Sequence, residues 1–248
     1  MHIGQKETEM PYSFFYLSYI IMIPAMLLVS YAQFKVSSNF SRYSRVSGGR
    51  GITGAEAAKR MLEKNGLNNV EIKPVQGSLT DHFDPRTNTI SLSEPVYNSD
   101  SVSAVGVACH ECGHAMQYAH RYPLLSFRNS IVPVVNVASS FAWVLVMIGI
   151  MLMAVSGTDT GIGSMMLNGG IVAFLLVVLF HLVTLPVELD ASRRAVAQIS
   201  EMGLVSPENE QGVRKVLGAA ALTYLGALVM AISNLLRILV LAGVSRRR

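Results

Sequence analysis

The stretch VACHECGHAMQ, residues 107–117, carries two histidines and a glutamate in the pattern H-E-x-x-H, as His110, Glu111 and His114. The residues around it, 102–120, are predicted to form a helix, because Asp100 or Ser101 is a suitable N-cap. Helix residues four apart lie about 40° from each other, so the two imidazoles share one face and can hold one Zn²⁺. Glu111 lies about 60° round from His114, beside the metal position, where a general base is expected.

The chemistry that this pattern favours is hydrolysis of a peptide bond. A zinc ion lowers the pKa of a water toward 7 and polarises the scissile carbonyl, while the glutamate takes the water's proton and passes it to the leaving amine. No covalent intermediate is required. The alternative, for the five residues taken alone, is a pair of partly exposed helix histidines.

Composition places this motif in a membrane protein. Of the 248 residues 51% are hydrophobic and 15% are charged, which is unusual for a soluble protein. A membrane span needs about 20 largely uncharged residues. Four stretches satisfy this: residues 12–34, 131–155, 165–187 and 216–236. The first is predicted to be a retained anchor, because its long apolar run contains Pro24 and lacks a small-residue cleavage site.

The distribution of charge predicts the orientation. A net charge of +4 could by itself indicate nucleic acid or an anionic membrane surface, so the position of the basic residues is more informative. Lysines and arginines are frequent between the first two spans and absent from residues 156–164. By the positive-inside rule the motif is therefore cytoplasmic, and no nucleic-acid partner is predicted. Arg237 and the three arginines at 246–248 leave the side of the C-terminus open.

Five segments follow from these patterns. They are an N-terminal transmembrane anchor (1–35), a cytoplasmic catalytic segment (36–130), a transmembrane hairpin (131–187), a third-ligand segment (188–215), and a C-terminal transmembrane helix with a basic tail (216–248). The expected fold class is a mainly α membrane protein with about four transmembrane helices and a small α+β zincin-like catalytic domain.

Local signals within the catalytic segment predict a helix and a hairpin. Thr53, followed three residues later by Glu56, forms a capping box for a helix over residues 53–65. Residues 72–83, a turn at 84–88 and a strand at 89–93 are predicted to form a β-hairpin with 89–93 as an edge strand. The glycines of residues 47–51 indicate a flexible link.

A third zinc ligand is expected, because a catalytic zinc usually has three protein ligands and one open position. Glu188 is the candidate, since two intervening spans return it to the side of the motif, although an interfacial charge is the alternative. His120 competes, because its spacing matches enzymes in which a third histidine completes the site. Those enzymes turn the chain at a glycine where this chain has Gln117, and a continuing helix carries His120 about 240° away. We therefore favour Glu188.

Other residues with metal-binding or catalytic chemistry are expected to lie outside the site or in a minor role. Cys109 and Cys112 are predicted to be small buried helix residues, without a disulfide in a cytoplasmic setting. His82 is expected at the surface of the hairpin and His181 at the membrane interface. Tyr224 is a candidate donor to a developing oxyanion, with an ordinary interfacial tyrosine as the alternative.

Several stretches together resemble the YugP-like neutral zinc metallopeptidases of bacterial membranes, and more distantly the HtpX and CAAX-prenyl-protease type. The resemblance covers nearly the whole chain and depends on LTDHFDPR at 79–86, LSEPVY at 92–97, the helix 110–117, ELDAS at 188–192 and ALTY at 221–224. It implies a bacterial cell membrane and one zinc, held by His110, His114 and Glu188, with Glu111 catalytic. HtpX-like enzymes carry Asp four residues after the ligand Glu, where this chain has Ser192, which leaves the partner of one ligand histidine open.

The expected partners are peptide or membrane-protein substrates and the lipid bilayer, in a multi-pass protein of the cell membrane. An intramembrane protease is less consistent with the sequence, because Glu94, Asp100 and Arg121 lie too close to the motif for a span of about 20 residues. The non-enzymatic alternative is a membrane scaffold or chaperone-like protein with a structural zinc. Glu111 argues against it, since a structural site needs no carboxylate beside its ligands.

Overall fold

The computed structural model describes residues 19–156 and 161–245, most of which are helical. The helices are α1 (Met22–Tyr43), α2 (Gly54–Lys64), α3 (Glu94–Tyr97), α4 (Val102–Ala119), α5 (Pro123–Ser156), α6 (Gly161–Met202) and α7 (Glu210–Ser245), the last preceded by a 3₁₀ turn at Pro207–Asn209. Three short strands lie between α2 and α3: β1 (Glu71–Val75), β2 (His82–Asp84) and β3 (Thr89–Ser93). The described residues form two compact units.

One unit comprises residues 29–132 and 180–227 and contains the H-E-x-x-H helix. The two predicted N-caps are confirmed, because Thr53 Oγ1 accepts from the amide of Glu56 and Ser101 Oγ from that of Ala104. Helices α2 and α4 pack together over a core that includes Met61, Ile90 and Leu92, all fully buried. This core holds the motif helix in place.

The sheet differs from the predicted hairpin. Strands β2 and β3 form an antiparallel pair across the turn that begins at Pro85, as expected, but the run 72–83 is divided between β1 and β2. Strand β1 pairs with β3 in parallel, so the strand order is β1-β3-β2 and β3 is central. The prediction that 89–93 is an edge strand is therefore wrong. A parallel pair depends on a long-range crossover, which local patterns do not reveal.

The glycine-containing segment at residues 46–49, which we call the strap, is hydrogen-bonded where a flexible link was predicted. Gly48 donates its amide to the carbonyl of Asp100 and accepts from the amide of Ser206, each at 2.7 Å. The amide of Val102 donates to the carbonyl of Val46. A Cβ on Gly48 would lie 3.0 Å from the Asp100 oxygen, so the glycine permits a close backbone approach.

The other unit comprises the described residues of 1–28, together with 133–179 and 228–245. Small residues let α5 and α6 approach closely there, since a Cβ on Gly149 would lie 2.6 Å from the amide nitrogen of Leu167. Such contacts between small residues are common between membrane helices. The guanidinium of Arg237 lies 4.2 Å from the ring centroid of Tyr19 and 5.1 Å from that of Trp143, in cation–π geometry.

Three helical stretches are long and apolar enough to cross a membrane: Pro123–Val155, Gly161–Met202 and Pro207–Gly243. They contain the last three of the four predicted spans. The first predicted span, 12–34, lies partly outside the described residues, as do residues 157–160 of the connection between spans two and three. Helix α6 continues through Pro186, close to the predicted end of the third span, to Met202. Prolines are tolerated inside membrane helices, where neighbouring groups satisfy the freed carbonyl.

Candidate metal centre

Two helices of one compact unit bring the predicted zinc ligands together. His110 and His114 project from α4, and Glu188 projects from α6 with 3% of its side chain exposed. The Nε2 atoms of both histidines lie 3.3 Å from the same carboxylate oxygen, Oε2 of Glu188. The three ligand atoms of this cluster all lie within 4.8 Å of one another, close enough to hold one metal ion.

A glycine inside the motif permits this convergence. A Cβ on Gly113 would lie 2.5 Å from the carbonyl oxygen of Ala191, which is closer than side chains tolerate. The backbones of α4 and α6 therefore touch at this point. Because Ala191 is three residues after Glu188, the contact sets the distance between the carboxylate and the two imidazoles. The sequence alone gave no means of predicting this approach.

The donor set fits a zinc ion. Ligand atoms about 2.0–2.1 Å from a tetrahedral Zn²⁺ lie about 3.3–3.4 Å apart, which matches the two Nε2–Oε2 distances. Oε2 of Glu188 is buried and has no hydrogen-bond partner among the residues that the structure describes. A buried carboxylate oxygen without a donor is costly, and a cation between it and the two imidazoles removes that cost.

The second nitrogen of each histidine also has a partner. Nδ1 of His110 lies 3.1 Å from the hydroxyl of Ser192. Ser192 is at the position where HtpX-like enzymes carry Asp, and the predicted ligand that it contacts is His110. Nδ1 of His114 lies 3.0 Å from Oε1 of Gln117, which is fully buried. The sequence reasoning missed Gln117 in this role. Its position three residues after His114, on the same helix face, was the available signal.

Electrostatics at the metal-free site favour a positive charge between the ligands. Burial alone lowers the pKa of His114, but the nearby carboxylates of Glu188, 3.3 Å away, and Glu111 outweigh it, so that pKa is raised. A proton therefore competes with a cation for His114. Metal binding at such sites releases protons.

Glu111 and two further side chains surround the ligands. Glu111 is 7% exposed, follows His110 on α4, and lies close enough to His114 to act on its charge. Nη1 of Arg128 lies 3.8 Å from Oε1 of Glu188. The hydroxyl of Tyr224 interacts with the Glu188 carboxylate. A water or substrate carbonyl at this site would therefore lie near the carboxylate of Glu111 and near two hydrogen-bond donors, the Arg128 guanidinium and the Tyr224 hydroxyl.

The other candidates lie outside this cluster. His120 is exposed at the C-cap of α4, with Nδ1 3.4 Å from Arg194, and His82 is exposed in β2. His181 makes an edge-to-face ring contact with Phe180. Cys109 and Cys112 are free and fully buried, which confirms the prediction of small buried residues. Burial raises the pKa of the Cys109 thiol to about 12.

A helix with H-E-x-x-H, opposed by a second helix that supplies a buried glutamate, defines the class of zinc peptidases whose third ligand is a carboxylate. The family model described as "Putative neutral zinc metallopeptidase" matches residues 18–243, and the chain belongs to that family. The chain is 47% identical over 218 residues to "Putative membrane protease YugP" of Bacillus subtilis (strain 168), covering 88% of this chain and 92% of that protein. No solved structure matches the chain.

Proposed function

We propose that this protein is a membrane-anchored zinc metalloendopeptidase of the gluzincin type, with one Zn²⁺ held by His110, His114 and Glu188 and with Glu111 as the general base. The observation that carries the proposal is the convergence of two Nε2 atoms on a buried, unpartnered carboxylate oxygen, beside a second carboxylate. The catalytic part consists of residues 36–130 and the third-ligand segment 188–215. The names of the family and of its Bacillus relative support the same class of activity.

The chain's own residues supply the proton transfer. When bound, zinc acts as a Lewis acid on the scissile carbonyl and makes a nearby water more acidic. Glu111, which lies next to His110 and is not one of the three converging side chains, accepts the proton of the attacking water and delivers it to the leaving amine. The Tyr224 hydroxyl and the Arg128 guanidinium both lie beside the Glu188 carboxylate, and in this proposal they donate to the oxygen of the scissile carbonyl as negative charge develops there.

Substrates are membrane proteins or their loops, cleaved at the cytoplasmic face. Basic residues cluster in the segments before and after the hairpin of α5 and α6, while residues 156–164 contain none, which supports a cytoplasmic site by the positive-inside rule. An extended peptide cannot pair with β3, because both edges of that strand are occupied. We place it instead along the outer edge of β2, which also contacts the motif helix.

The test is proteolysis of an unfolded protein by the full chain, purified in detergent with zinc. Cleavage should stop on chelation and return with added zinc. The Glu111→Gln protein should keep stoichiometric zinc and lose cleavage, because the amide keeps the shape of the side chain but cannot accept the water's proton. A Glu111→Gln protein that retains activity within a few-fold of the parent would exclude the general-base role. A parent protein that binds zinc but does not cleave would instead favour the non-enzymatic alternative, a membrane scaffold or chaperone-like protein with a structural zinc.

Orientation has its own measurement. A cysteine introduced at Gly161, in a protein whose two buried native cysteines are unreactive, should react with a membrane-impermeant reagent added outside intact cells. A cysteine at the exposed Lys59 should react only after the cells are opened. The reverse pattern would place the catalytic site outside.

A further inference from the structure

The side chain of Gln117 is the most completely hydrogen-bonded amide near the metal centre. It is 0% exposed and lies between α4 and α6. Its Nε2 lies 2.8 Å from the carbonyl oxygen of Val187 and 2.8 Å from Oδ2 of Asp190, and its Oε1 lies 3.0 Å from Nδ1 of His114. An amide nitrogen has two protons to donate, and both are used here.

These partners permit one orientation of the amide. A backbone carbonyl can only accept a hydrogen bond, so the atom that faces Val187 is the nitrogen. The carboxylate of Asp190 also accepts from Nε of Arg194 at 2.6 Å, which keeps it ionised and acceptor-only. The remaining amide atom, the oxygen, must therefore face His114. Because that oxygen also only accepts, Nδ1 of His114 must carry a proton.

We propose that Gln117 is a positioning residue that fixes His114 as the Nδ1-protonated tautomer, and that Asp190 and Arg194 hold the amide in place. The inference rests on the proposed zinc site, because it assigns the lone pair of Nε2 to the metal. A histidine ligand usually donates its other nitrogen to a carboxylate or carbonyl. Here the Gln117 amide lies between His114 and the Asp190 carboxylate. The negative charge of Asp190 is therefore one side chain further from the histidine than in a direct histidine–carboxylate pair.

The partners of Nδ1 therefore select a tautomer for one histidine and not for the other. His110 meets the hydroxyl of Ser192, which can rotate to donate or accept and so does not select a tautomer. His114 meets an amide that cannot reverse without breaking two hydrogen bonds. The outer end of the chain of contacts is His120, whose Nδ1 lies 3.4 Å from Nη1 of Arg194. This histidine is exposed, lies outside the hydrogen bonds that orient His114, and is not one of the predicted ligands.

The experiment compares zinc affinity, by competition with a chromophoric chelator, in the full chain in detergent. Gln117→Met keeps the length of the side chain and removes its hydrogen bonds, and zinc should bind about 10–100-fold more weakly. Gln198→Met is the matched control, since it makes the same replacement on α6, where Gln198 accepts a long bond of 3.4 Å from Asn65. It should bind zinc as the parent does. Ser192→Ala should lose less than Gln117→Met.

A second measurement separates positioning from packing. Nitrogen NMR of histidine-labelled, zinc-free protein at a pH where His114 is neutral should show Nδ1 of His114 protonated in the parent and a mixture of tautomers in Gln117→Met. Zinc affinity within threefold of the parent in Gln117→Met, or an unchanged tautomer, would overturn the inference while leaving the proposed function intact. Absence of stoichiometric zinc in the parent would overturn the proposed function itself.

Discussion

Replacing Gly113 by alanine tests whether the contact between α4 and α6 builds the metal centre. The added Cβ would lie 2.5 Å from the carbonyl oxygen of Ala191, whereas carbon and oxygen atoms in ordinary contact are about 3.4 Å apart. The two helices must therefore separate by about 0.9 Å at this point. Overpacking of this kind costs about 1–3 kcal/mol of stability, partly offset by the better helix propensity of alanine.

The larger effect falls on the site. Glu188 is one helical turn before Ala191 and moves with it, so the Nε2–Oε2 distances of 3.3 Å increase toward about 4 Å, too long for one zinc with bonds of about 2.1 Å. A displacement of about 1 Å can reduce catalysis about 100-fold. We therefore expect zinc to bind at least tenfold more weakly and proteolysis to fall about 100-fold, while the far-ultraviolet circular dichroism spectrum remains helical.

The control is Gly106→Ala on the same helix. A Cβ there meets the side chain of Val213 at 3.4 Å, an ordinary contact, so zinc affinity and activity should match those of the parent. Zinc content by atomic spectroscopy, cleavage of an unfolded protein and thermal unfolding would be measured for both variants. A Gly113→Ala protein with parental zinc affinity and activity would refute the close approach. Equal losses in the two variants would show that the effect is not specific to it.

Three further predictions concern the ligands and the cysteines. Glu188→Ala should lose stoichiometric zinc and activity whereas His120→Ala keeps both, as measured by metal content and proteolysis; the opposite pair of results would make His120 the ligand. Because the pKa of His114 is raised in the metal-free protein, a proton competes with zinc below that pKa, so affinity should fall from about pH 8 to about pH 6 in a chelator competition. A pH-independent affinity would contradict this. At about pH 8 roughly one Cys109 thiol in 10⁴ is ionised, so neither it nor Cys112 should react with iodoacetamide before unfolding, as followed by mass spectrometry.

The motif helix could be predicted because its signals are local. Ser101 caps it, the spacing of His110 and His114 sets the ligand face, and both features appear in the structure as the sequence indicated. Glu188 was accessible by a different route, the count of apolar stretches between it and the motif. None of these steps required knowledge of how the helices pack.

The contacts that complete the centre depend on packing and were not predictable in the same way. The approach of Gly113 to Ala191 and the hydrogen bonds from Gln117 to α6 join residues that are far apart in the sequence. The sheet shows the same limit. The turn after β2 could be predicted from Pro85. The parallel pairing of β1 with β3 could not, because no local sequence pattern specifies a crossover connection.

The strap has a consequence for the order of events during synthesis. Gly48 hydrogen-bonds to Asp100, near the start of the motif helix, and also to Ser206, just before α7. At about 5–20 residues per second the ribosome makes Ser206 some 8–30 s after Gly48. The strap, which contacts the start of the motif helix, therefore gains its bond to Ser206 only after the apolar hairpin has been synthesised. A nascent chain stalled within that hairpin would lack both the tether and Glu188, so the centre cannot assemble before synthesis of the hairpin is complete.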